Sequence, residues 1–214
     1  MSFLPDWPLL SAYTLAVIVL ALTPGPDLTF FMAQAVANGR RAGFAAMAGA
    51  FTGLLVHSLM VAAGLAALIA HAPDLFSALK WAGAAYLAWL AWSVLRHGSG
   101  LGEPVAGSRA ASLRRTYLKA LAINLLNPKI IVFFLTFLPQ FVATGDADAG
   151  ARLLFLGIWF IAVSIPVTVP MILAADRVSS WVKGSPRALR AMDWLFAGVM
   201  GAFAVRLLAA RSPG

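Results

Sequence analysis

"LTPGPDLTFF", Leu22 to Phe31, lies inside an apolar run over about residues 8–37 that is long enough to span a bilayer. Pro24, Gly25, Pro26 and Asp27 follow one another within it. Proline removes a backbone donor and clashes with the preceding turn, which frees a carbonyl. In hydrocarbon that carbonyl needs a partner, so broken backbone persists only where protein or a water-filled cavity covers it. The stretch therefore predicts a membrane helix that breaks around Pro24 to Pro26 and is covered by its neighbours.

The rest of the chain fits a bilayer. Of 214 residues, 61% are hydrophobic and 11% charged, against about 25% charged in soluble domains. No cysteine is present, which excludes disulfides, thiolate metal sites and thiol redox chemistry. The net charge of +8 does not point to nucleic acid, because the basic residues fall between apolar runs, where topology explains them. The N-terminus lacks a basic n-region, so the first apolar segment reads as a retained span rather than a signal peptide.

Six segments are apolar enough to be spans: about 8–37, 43–70, 75–96, 117–142, 150–174 and 191–210. The polar stretch "RHGSGLGEPVAGSRAASLRR" divides them into two groups of three. The expected fold is an all-α membrane protein forming one transporter domain over 1–214. Residues 1–96 form one three-helix half, 97–116 a loop and 117–214 the second half. Three spans per half place the second half the opposite way up, as an inverted repeat. Pro24 and Pro26 interrupt span one, and Pro128 and Pro139 interrupt span four. Broken segments at corresponding positions of two halves point to a transporter's binding site. Span five carries Pro166 and Pro170, flanked by Ser164 and Thr168, whose hydroxyls can satisfy the freed backbone.

Basic residues orient the spans. Arg40 and Arg41 follow span one, Arg96, Arg109, Arg114 and Arg115 surround the long loop, and Arg177, Lys183, Arg187 and Arg190 follow span five. Positive loops stay cytoplasmic, which puts both termini outside, although Arg206 and Arg211 run against this. The same loops can touch anionic lipid. Trp7, Trp81, Trp181 and Trp194 lie near span ends and read as interfacial anchors.

Asp27 precedes Arg40 by 13 residues, and Lys129 follows Arg115 by 14. At about 1.5 Å per helical residue, both lie about 20 Å from the cytoplasmic end, near the midplane. An isolated charge there costs about 2.5–3.5 kcal/mol on insertion scales. Opposite charges at one depth offset this by facing each other or a shared polar cavity. Breaks also create helix ends, where N–H groups favour anions and carbonyls favour cations. An amino acid presents an ammonium beside a carboxylate, which suits Asp27 and Lys129 at paired breaks. Thr23, Gln34, Asn124, Asn127 and Gln140 are candidates for the remaining polar lining. An internal salt bridge that locks helix packing is the alternative use of the two charges.

These residues also carry a family resemblance. "LTPGPD" at 22–27, "GRRAG" at 39–43, "ALKWAGAAYLAWLAW" at 78–92 and "NPKIIVFFLTFLPQF" at 127–141 resemble the LysE/RhtB amino-acid exporters, over about residues 10–210. The resemblance implies an inner-membrane exporter of amino acids or related metabolites, driven by the proton gradient, often dimeric, with six helices. It carries over Thr23, Pro24, Gly25, Pro26 and Asp27 from the first motif and Asn127, Pro128 and Lys129 from the second. Expected partners are therefore a small amino-acid substrate, protons, lipid and, as a homodimer, a second copy. No cofactor is implied.

His57, within span two, is a second proton-coupling candidate beside Asp27, since its unperturbed pKa is near 6.5; a hydrogen-bonded packing role is the plainer reading. "GAFTG", Gly49 to Gly53, allows close helix approach, more readily within one chain than across a dimer seam. An enzyme finds little support. Aspartyl proteolysis needs two deep aspartates and Asp27 stands alone, His57 and Ser58 point in different directions on a helix, and no H-E-x-x-H motif occurs. Export of another small solute or a metal ion is the second transport reading, with metal disfavoured by the lack of cysteine and clustered carboxylates. A structural membrane protein would explain the helices but not the paired breaks.

Overall fold

A computed structural model describes residues 5–23, 25–65, 73–97, 112–142, 146, 148–175, 177 and 185–209. The described residues are helical, with no strand among them. In order they are α1 (Trp7–Leu22), α2 (Pro26–Asn38), α3 (Arg40–Met60), α4 (Pro73–His97), α5 (Leu113–Leu125), α6 (Pro128–Val132), α7 (Ala149–Leu173) and α8 (Pro186–Ala209). A π turn, Val61–Leu65, extends α3, and a π turn followed by a 3₁₀ turn carries α6 on to Phe141. Pro24, Trp181, Lys183 and residues 98–111 of the long loop lie outside the described residues.

The first expected span is two helices, α1 and α2, inclined by 51°, and the fourth is α5 with α6, inclined by 49°. Both breaks use one device. Pro26 and Pro128 each stand at the first position of the new helix, where the missing N–H would have had no partner and the fixed φ suits the helix. Gly25 and Asn127 precede them in extended conformation, as a residue before proline favours. Asn127 also caps α6, its side chain accepting from the Lys129 N–H at 3.0 Å. Pro166 and Pro170, by contrast, lie inside a continuous α7. The expected hydroxyl repair differs there. Thr168 Oγ1 donates to the Ser164 carbonyl at 2.7 Å, which is not a carbonyl the prolines free; those belong to Ala162 and Pro166, four residues before each ring.

By length and composition, α3 with its π turn and α7 can each cross a membrane, and each bent pair passes the same test as one unit. Helices α4 and α8 have 25 and 24 residues but do not meet the measure among the described residues; in "ALKWAGAAYLAWLAW", Lys80, Tyr86 and the tryptophans lower the mean hydropathy. By this measure two spans are evident among the described residues, or four when each bent pair is taken as one span.

Helix α3 is central, packing on α2, α5 and α7, while α4 packs chiefly on α8. Added at Gly49, a Cβ would strike the Tyr117 carbonyl, and at Gly53 the Asn124 side chain. "GAFTG" therefore serves the α3–α5 contact within the chain. Tyr117 adds a hydrogen bond to Thr52 at 2.8 Å across this seam. Tyr13 of α1 donates to the Leu156 carbonyl of α7 at 3.1 Å and meets Phe137 and Phe141 at 6.3 and 5.0 Å between ring centres. These rings, with Phe133 and Phe160, form the core beside the breaks. Trp7, Trp81 and Trp194 are exposed.

Candidate functional site

The two breaks meet. Asp27, in the first turn of α2, directs Oδ2 at the fourth-span break, where it accepts from Asn127 Nδ2 at 2.8 Å and Asn124 Nδ2 at 3.1 Å. Lys129, in the first turn of α6, reaches the other way. Its Nζ lies 3.4 Å from the Leu20 carbonyl and 3.3 Å from the Thr23 carbonyl at the end of α1. Each charge thus occupies the helix end of matching polarity: the carboxylate stands at the N-terminus of α2 and the ammonium at the C-terminus of α1. Both lysine contacts are long for N–H···O bonds. A Cβ on Gly25 would lie 3.0 Å from Lys129 Nζ, so this glycine lets the lysine pass close to the backbone.

Thr23, Asp27, Asn124 and Lys129 line one cavity of about 50 Å³, a volume that suits a few waters rather than a whole amino acid. Lys129 is 9% exposed and Asn124 and Asn127 less still. Phe31, Phe51, Leu54 and Phe160 supply apolar wall, and Ser164 and Thr168 come from α7. Among the described residues, Asp27 Oδ1, Asn124 Oδ1 and Ser164 Oγ are buried without hydrogen-bond partners. Such groups are rare in native proteins and each needs a reason.

The other expected residues fall in different places. Pro26 and Pro128 are exposed on their turns and act on the backbone. Gln34 is buried on α2 and accepts from Asn38 at 3.0 Å. Gln140 donates to the Thr136 carbonyl at 3.2 Å. Neither glutamine is among the cavity's lining residues. His57 is buried, its Nε2 3.4 Å from the Asn124 backbone carbonyl and its ring 5.7 Å from that of Phe134. It touches the residue that holds Asp27 but does not line the cavity. The aromatic wall carried no distinguishing signal, because Phe is common throughout apolar helices, and Ser164 stood out only as a neighbour of Pro166.

Comparison with known proteins gives a consistent picture. The chain matches the family model described as LysE type translocator over residues 18–211. It is 34% identical over 200 residues to a homoserine/homoserine lactone efflux protein of Salmonella typhimurium, covering 94% of this chain and 96% of that one. It is 30% identical over 204 residues to a leucine efflux protein of Klebsiella pneumoniae, covering 94% of each. An uncharacterized membrane protein of Pseudomonas aeruginosa is 34% identical over 182 residues, 82% of this chain and 83% of that one. No solved structure matches.

Proposed function

Because the chain belongs to the LysE type translocator family, we propose that it exports α-amino acids or close derivatives across the bacterial inner membrane in exchange for protons. It is a multi-pass membrane transporter and not an enzyme. Relatives named for homoserine, homoserine lactone and leucine efflux support the amino-acid class.

One observation carries the reading. A carboxylate with one buried, unpartnered oxygen and a buried ammonium line the same small cavity where two broken helices meet. The substrate ammonium docks on Asp27 Oδ1, and its carboxylate draws Lys129 Nζ away from the Leu20 and Thr23 carbonyls. The start of α2 adds free N–H groups, since Gly25 offers no side-chain cap. Protonation of Asp27 removes its charge and releases the ammonium, which links proton entry to substrate exit. Thr23 and Asn124 complete the polar lining, while Asn127, outside it, joins Asn124 in fixing the carboxylate.

In this reading the spans are α1 with α2, α3, α4, α5 with α6, α7 and α8, arranged as two inverted halves. Packing of α3 on α7 and of α4 on α8, second with fifth and third with sixth, supports a two-fold relation between halves. The cavity's small volume fits a closed state, and movement of one half against the other would admit substrate. The basic loops face the cytoplasm and both termini face outward.

A panel of labelled amino acids offered to inverted vesicles, with and without a pH gradient, tests this. Gradient-dependent uptake of at least one amino acid is expected; uptake of none overturns the substrate class.

A further inference from the structure

Six hydroxyl side chains in these helices share one hydrogen-bond pattern, and the one that lines the cavity without it is Ser164. Thr14, Thr23, Thr52, Ser58, Thr136 and Thr168 each donate to the carbonyl four residues earlier. This is the default for serine and threonine in apolar helices. Ser164 does not follow it. Its Oγ has no partner, the residue is 2% exposed, and it lines the cavity that contains Asp27 and Lys129. Thr116 Oγ1 is also unpartnered, but Thr116 is not among the cavity's lining residues.

The chemistry of the three unpartnered atoms at the site divides their tasks. Asp27 Oδ1 and Asn124 Oδ1 accept, whereas a serine hydroxyl also donates. An incoming ammonium is answered by Asp27, and an incoming carboxylate by Lys129. What remains is a donor on α7, beside an otherwise apolar wall of Phe31, Phe51, Leu54 and Phe160. That wall accepts aliphatic side chains but offers nothing to an oxygen on one.

We propose that Ser164 is a specificity-determining residue that favours amino acids bearing a side-chain oxygen over aliphatic ones of similar size. The inference rests on the amino-acid reading given above. A hydroxyl buried against an aliphatic substrate stays unsatisfied, while an oxygen-bearing one completes it. The asymmetry follows because a site built around a polar partner rejects the analogue that lacks it.

Initial rates of labelled homoserine and leucine uptake into inverted vesicles, measured over a concentration series, test the proposal. The variants are Ser164→Ala and Ser164→Cys, the second keeping the side-chain shape with only a weak donor. The ratio of kcat/KM for homoserine to that for leucine should fall about tenfold in both variants, the order expected for one lost buried hydrogen bond. Homoserine should lose rate, while leucine loses none and gains where the unsatisfied hydroxyl has been removed. Equal losses on both compounds would assign the hydroxyl to the shared amino-acid core, and an unchanged ratio would leave it no role in selection; either result overturns the proposal. Failure of the wild-type protein to move either compound with any other amino acid in the panel would instead strike the underlying reading.

Discussion

Asp27 and Lys129 are each held by the other broken helix, the carboxylate by amides of Asn124 and Asn127 and the ammonium by carbonyls of Leu20 and Thr23. Asn127 has two tasks, since its Oδ1 caps α6 while its Nδ2 binds Asp27. Asn127→Ala should therefore cost more than the ~1 kcal/mol of an ordinary cap, read as a lowered Tm in detergent, and should reduce export at least tenfold. Asp27→Asn keeps the shape and removes the charge; export should fall and any that remains should lose its dependence on the pH gradient, and normal dependence would exclude Asp27 as the proton carrier. The four residues of this cross-brace were legible in the sequence because charges and amides inside apolar runs are costly and so informative. Gln34 and Gln140 were polar in the same way, yet position along the helix decides the outcome. Seven residues beyond Asp27 is about 10 Å, and Gln34 finds Asn38 instead. Ser164 was named with Thr168 for backbone repair beside Pro166, but the sequence does not tell the unpartnered hydroxyl from the back-bonded one.

At the scale of elements, prolines announced the breaks but not which of them would hold. Pro26 and Pro128 follow Gly25 and Asn127, residues suited to helix ends, and there the chain turns. Pro166 and Pro170 follow Ile165 and Val169, and α7 runs through both. The residue before the ring was the better signal. Glycines also divide by what surrounds them. Gly53 gives the Asn124 side chain its room, so Gly53→Ala should displace that amide from Asp27 and lower export about tenfold without blocking insertion. Gly39, with φ of 84°, links α2 to α3 and has nothing within 4 Å of an added Cβ. Gly39→Ala should cost about 1 kcal/mol of stability through backbone strain alone, seen in the Tm, with transport retained.

The molecule as a whole is organised around α3, with the bent pairs and α7 gathered on it and the α4–α8 pair alongside. Hydropathy located every helix to within a few residues, though α8 begins at Pro186 rather than near 191. By composition, α3 with its π turn and α7 meet the membrane measure alone and each bent pair meets it as one unit, while Lys80, Tyr86 and the tryptophans lower the mean hydropathy of α4. Orientation is a separate matter, resting on charge asymmetry. Reporter fusions within residues 98–111 should report the cytoplasm, and an external signal would reverse the proposed direction of both halves.

The central claim is that the two charges at the paired breaks bind the transported amino acid. Uptake of labelled amino acid into inverted vesicles, compared between wild type and Lys129→Gln at matched membrane content, tests it most directly. Loss of uptake in the variant, with insertion intact, is the predicted result; uptake at the wild-type rate would contradict the account.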